Sequence, residues 1–151
     1  MQRSVVLLAA LIVAGCSDSG CDTSTAPCAA TTAFAETLNG QWQATRAPSG
    51  QRLDVRFTTD GVNVLGAGHY TDGGRTGLLD VRGEVEWIDV QRDFVMLPPH
   101  AELSADIEYS GVGTGHLDQT RLFGTDTLRG VLTFAAGGSS TSYIIELVRI
   151  R

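Results

Sequence analysis

Lysine is absent from this chain of 151 residues, and all eleven basic side chains are arginine. That excludes a Schiff-base lysine and the lysine of a phosphate-binding loop. Cysteine is scarce and one-sided. Cys16, Cys21 and Cys28 are its only three, so the chain beyond them has no thiol to act as nucleophile or metal ligand. Positive charge is also in short supply, with 17 acidic residues giving a formal charge of −6. Such a surface disfavours nucleic acid and anionic lipid headgroups. Proline numbers only four. Glycine, by contrast, numbers 18, and with 42% hydrophobic and 19% charged residues the composition is that of a globular chain with many turns. The length fits one domain.

The one long apolar run lies near the start. Arg3 is followed by unbroken apolar residues from Val5 to Val13, then by Ala14, Gly15 and Cys16. A basic residue, a short apolar stretch and small residues before a cut make a signal peptide, too short for a stable transmembrane helix. The run Val13-Ala14-Gly15-Cys16 resembles the lipobox of bacterial lipoproteins. That resemblance implies removal of residues 1–15, acylation of Cys16 and a membrane anchor of several acyl chains, more than the marginal hold of one chain. Ser17, which is not aspartate, favours the outer membrane facing the periplasm over the inner membrane under the enterobacterial sorting rule. Loss of Arg3 would take the mature charge to −7. Residues 16–36, rich in Ser, Thr, Ala, Asp and Gly, read as the acylated anchor and a flexible tether. With Cys16 acylated, Cys21 and Cys28 form a candidate disulfide in an oxidising envelope.

Residues 37–151 read as a β-domain. Leu53, Val55 and Phe57 alternate with Arg52, Asp54 and Arg56 before the turn pair Asp60-Gly61. A strand from Val62 to Thr71 follows. Leu79, Val81, Val85 and Trp87 alternate with Asp80, Arg82, Glu84 and Glu86, and Leu103, Ala105, Ile107 and Tyr109 alternate with Ser104, Asp106, Glu108 and Ser110. A short strand over Phe94 to Leu97 and further strands near 116–123, 127–134 and 142–150, with a first strand at 39–46, bring the count to eight or nine. This pattern fits a sandwich or a barrel, with the charged face reversed from that of a membrane-spanning barrel. A shift of 47 residues maps Gly66, Gly68, His69, Gly77, Arg82 and Gly83 onto Gly113, Gly115, His116, Gly124, Arg129 and Gly130, suggesting a repeated hairpin with inward glycines.

Gly40-Gln41-Trp42 opens the strands and a last strand carrying Arg149 closes them. This layout resembles the lipocalin-like, or calycin, pattern, which implies an antiparallel up-and-down barrel with Trp42 packed beneath Arg149 at the closed end. A cation-π pair there would have a structural role, worth about 0.5 to 2 kcal/mol. The resemblance also raises a mouth lined by Phe57, Tyr70, Trp87 and Tyr109 that takes a small apolar ligand.

Candidate chemistry is thin. The three histidines, with Asp72 and Asp118 nearby, invite a metal-site reading, but no two histidines stand at i, i+2 or i, i+4, so no metal site is expected. Ser110, Ser139, Ser140 and Ser142 lack a nucleophile elbow, and the glycine run 111–115 reads as strand, not phosphate loop. Asp80, Glu84 and Glu86 share a strand face interrupted by Arg82, as solvated surface residues do. No enzymatic activity, catalytic residue or cofactor is therefore expected. The expected function is that of a lipid-anchored envelope protein presenting its barrel to an envelope partner, with the apolar-ligand carrier as the alternative. Neither reading involves nucleic acid.

Overall fold

The computed structural model describes residues 26–47, 51–72, 74–88 and 98–151. Cys16, Cys21 and the Phe94–Leu97 segment lie outside them. One helix, α1 (Ala26–Leu38), precedes eight strands: β1 (Gly40–Arg46), β2 (Arg52–Asp60), β3 (Asn63–Asp72), β4 (Arg75–Ile88), β5 (His100–Tyr109), β6 (Gly113–Phe123), β7 (Thr127–Ala136) and β8 (Ser139–Ile150). Each strand pairs antiparallel with the next, and β8 returns to β1 to close an up-and-down barrel. Closure leaves no free edge, so the backbone donors and acceptors that an open sheet exposes are paired.

Alternation sets which way the strands face. Leu53, Val55 and Phe57 of β2 are buried and Arg52, Arg56 and Thr58 exposed, while on β4 Leu79, Val81 and Val85 are buried against exposed Asp80, Arg82 and Glu84. Apolar side chains fill the inside and charges line the outside, the reverse of what a barrel crossing a bilayer requires. No helix among the described residues is long and apolar enough to cross a membrane. Tight turns join the hairpins. Gly137 and Gly138 have φ of 57° and 82° between paired Ala136 and Ser139, the two positive values that a type I′ turn needs.

Inward glycines serve two purposes. At Gly66 an added Cβ would stand 2.9 Å from the Phe57 ring and 3.0 Å from Val81, so the missing side chain makes room for a large neighbour. At Gly68 the Cβ would run into the backbone carbonyl of Asp54, so there the strands themselves approach too closely for any side chain. The 47-residue echo keeps this inward phase at Gly113, Gly115 and Gly130 and falls on two hairpins, β3–β4 and β6–β7, but their registers differ: Tyr70 pairs with Gly77, whereas Leu117 pairs with Leu132 and not with Gly124. β3 and β6 run in opposite directions along the barrel, and Gly77 lies within β4 whereas Gly124 lies in the turn after β6.

The tether reading is corrected over residues 26–36, which form most of α1 and pack against β2, β4 and β5. Thr31, Ala35 and Leu38 are buried, at spacings of four and three residues that place them on one helix face. The helix therefore crosses one end of the barrel, here called the base. Around the base lie the start of β1 and the ends of β2, β4, β6 and β8. The opposite end, the mouth, carries the β1–β2, β3–β4, β5–β6 and β7–β8 connections.

Candidate functional site

At the base, the end of α1 leaves carbonyls with no helical partner. The sequence supplies a donor for each of four in turn. The Asn39 amide nitrogen donates to Glu36 O at 3.3 Å, Trp42 Nε1 donates to Leu38 O at 2.7 Å, and the Arg149 guanidinium donates to Thr37 O and to Asn39 O. Trp42 and Arg149 face each other in the β1–β8 register, and the guanidinium carbon sits 4.4 Å from the centre of the Trp42 ring. Asp126, 3.5 Å away, adds an ion pair to Arg149. Trp42 is wholly buried. The structure thus brings the two residues of the barrel-closing motif together, and their contacts tie α1, β1 and β8 into one unit.

The four aromatics named from sequence as ligand-lining do not share a cavity. Phe57 is buried on β2 toward the base and Trp87 lies near the base end of β4, whereas Tyr70 and Tyr109 are at the mouth. There Tyr70 and Tyr109 meet edge to face at 5.3 Å, and Tyr109 meets Phe134 likewise at 5.1 Å. The cavity they border with Gln51, Leu53, Asp72 and Val112 measures only about 10 Å³. That holds one water at most. Tyr70 donates to Ser110 O at 3.1 Å and Tyr143 to Gln51 Oε1 at 3.2 Å, while the Tyr109 hydroxyl is buried with no partner among the described residues. Burial, followed by the neighbouring Tyr143, raises the Tyr109 phenol above its ordinary range. Burial, followed by the Asp72 carboxylate, pushes Tyr143 up to about 12. Tyr143 and Phe134 escaped the sequence reading because glycine- and serine-rich turns flank them.

On the outside, a groove of about 580 Å³ runs over β4, β5, β6 and β7 between Asp80, Arg82, Asp106, Glu108 and His116. It is open to solvent. His116 Nδ1 lies 2.8 Å from Asp106 Oδ1, and His69 is exposed on β3. Asp80, Glu84 and Glu86 face outward beside β5 partners Glu108, Ser104 and Glu102. Glu102 is the exception to this wet face: it is buried between His100 Nε2 at 2.7 Å and Arg121 Nε at 2.6 Å. Its outward phase gave no sign of burial in the sequence. Asp72 stands at the mouth and Asp118 at an irregularity of β6, where Gln119 has a φ of 50° and its amide nitrogen donates to Asp118 Oδ1. Among the described residues no cluster of three His, Cys, Asp or Glu side chains could hold a metal ion. Cys28 is disulfide-bonded.

Comparison of the chain with protein-family models, with curated proteins and with solved structures finds no match.

Proposed function

We propose that this chain is a lipid-anchored protein of the bacterial envelope that presents a solid, non-enzymatic β-barrel to a partner in that compartment. The lipobox-like run ending at Cys16 supports the anchor and the envelope placement. The barrel interior carries the second half of the reading. Among the described residues, twenty apolar side chains are buried inside it or on the α1 face that covers its base, and the mouth cavity of about 10 Å³ is far below the 300 to 1,000 Å³ of ordinary small-molecule pockets. A carrier of an apolar ligand would need an interior that these side chains already occupy.

Two measurements test the two halves. Mass spectrometry of the N-terminal peptide from the chain expressed in a bacterium is expected to find acyl groups on Cys16, with Cys16→Ser leaving the protein unacylated and released from membranes. An unacylated wild-type Cys16 would refute the anchor. Native mass spectrometry of the purified protein is expected to give the mass of the acylated chain alone, and a stoichiometric extra lipid or small apolar molecule would sink the solid-barrel reading in favour of the carrier.

A further inference from the structure

We infer that His100 is a proton-operated latch, which ties the entry of β5 to the Glu102–Arg121 pair while its ring is doubly protonated and lets go when the ring loses a proton. The inference concerns the barrel itself and stands apart from the anchor proposed above.

The geometry sets the charge of the ring. His100 Nδ1 lies 2.8 Å from Pro98 O, and Nε2 lies 2.7 Å from Glu102 Oε1. A backbone carbonyl only accepts, so Nδ1 must carry a proton. Glu102 Oε1 also accepts from Arg121 Nε at 2.6 Å, and a carboxylate that receives a guanidinium has no proton of its own to give. Nε2 must therefore carry a proton too. A neutral imidazole has one donor and one acceptor, so the two contacts hold together only in the imidazolium. The other two histidines make no such demand. His116 meets one acceptor, Asp106 Oδ1, and His69 has no hydrogen-bond partner among the described residues.

The setting gives the latch something to hold. Glu102 is buried, and a buried carboxylate that loses a partner destabilises the fold. Just before β5, Pro98 and Pro99 have no N–H to give to a neighbouring strand, so the bond from His100 to Pro98 O supplies a tie that the ladder does not. The His100 side chain keeps 22% of its surface exposed, which lets its proton exchange with solvent.

The surrounding charges favour the protonated ring. On β4, Glu86 stands opposite Glu102, Glu84 opposite Ser104 and Ile88 opposite His100. β6 brings Arg121, which Glu102 already uses, and exposed Asp118. Arg129 of β7, across from Arg121, donates to Glu146 of β8 at 2.7 Å. α1, which packs on β5, has Glu36 as its one charged residue.

The test is nuclear magnetic resonance of the full chain labelled at nitrogen. Correlations within the imidazole rings follow the titration of His100, and its two end states fix the pH values at which amide hydrogen exchange is compared. Protection of the amides from Ala101 to Leu103, corrected for the intrinsic pH dependence of exchange, is expected to fall several-fold from the acid to the alkaline end. A proton that the latched fold needs stabilises it on the acid side, and that stability is lost as the ring deprotonates, so the urea midpoint is expected to fall in step. Both falls are expected to vanish in His100→Gln and to remain in His116→Gln, the same change at an exposed ring. Protection that stays level across the titration of the parent overturns the latch, and so does a fall that survives in His100→Gln.

Discussion

Arg149 does several things at once. Its guanidinium covers the Trp42 ring, donates to two carbonyls at the end of α1 and pairs with Asp126. A cation at a helix C-terminus is favourable in its own right, because the carbonyl ends concentrate negative partial charge there. What matters most is shape. A planar fork can stack on a ring and still reach two acceptors, and an ammonium cannot. Arg149→Lys keeps the charge and is expected to cost about 1 to 3 kcal/mol, the value of one charged hydrogen bond with part of the stacking. Urea unfolding of the pair of proteins measures it, and a loss within experimental error would show that charge alone accounts for the contact. The pairing is expected only because Gly40-x-Trp42 and an arginine in the last strand resemble the lipocalin-like pattern, which implies it. The sequence concealed the carbonyls that the arginine serves, because they belong to a helix that the residue composition does not announce.

That helix marks where pattern reading stops. Alternation gives β2, β4 and β5 with their inward faces, turn residues give the approximate ranges of β3, β6, β7 and β8, and β1 follows from Trp42. α1 has no comparable signal. Its buried face is Thr31, Ala35 and Leu38, one of them polar and one too small to register as apolar periodicity, and its other positions, apart from Pro27, Cys28, Phe34 and Glu36, are alanines and threonines that read equally well as tether. Helical order comes from the partner surface: Leu38 fits over the base of the barrel, and the Thr31 hydroxyl turns back to Pro27 O and Cys28 O without asking for an outside partner. The mouth was misread for a related reason. Alternation tells that Phe57, Tyr70, Trp87 and Tyr109 point inward, but position along the barrel axis comes from register, which separates them into two ends. If tertiary packing holds α1, removing its main apolar contact must be felt. Leu38→Ala is expected to destabilise the fold by about 2 to 5 kcal/mol, whereas Ile144→Ala, on the outside of β8, should change stability by about 0.5 kcal/mol or less. Ile144 is 67% exposed and Leu38 not at all. Thermal and chemical unfolding of both variants decides it, and equal effects would mean that the helix is not bound to the barrel in solution.

At the scale of the whole molecule, a closed eight-strand sheet has an interior just wide enough for side chains to fill, and here each of the eight strands has buried apolar side chains. The base is closed by α1 and the Arg149–Trp42 stack, and the mouth by an edge-to-face row of Tyr70, Tyr109 and Phe134. The two ends therefore respond to different conditions. The base depends on the stacking and hydrogen bonds of Arg149, whereas the mouth depends on phenols that burial holds in the neutral form. Tyr109 and Tyr143 hold their protons more tightly in the folded barrel than the ordinary phenol does, Tyr143 up to about 12. In the unfolded chain both would ionise near 10. Above that pH the unfolded state sheds protons that the folded state retains, so stability is intact below about 10 and falls as the pH climbs toward about 12. Denaturant midpoints measured across that interval are expected to decline, while absorbance near 295 nm reports late-forming tyrosinate in the native protein. A variant carrying Tyr109→Phe and Tyr143→Phe should lose much of the alkaline decline, because neither side chain can then ionise in either state. If the double variant weakens with pH as steeply as the parent, the mouth phenols are not what alkaline conditions act upon.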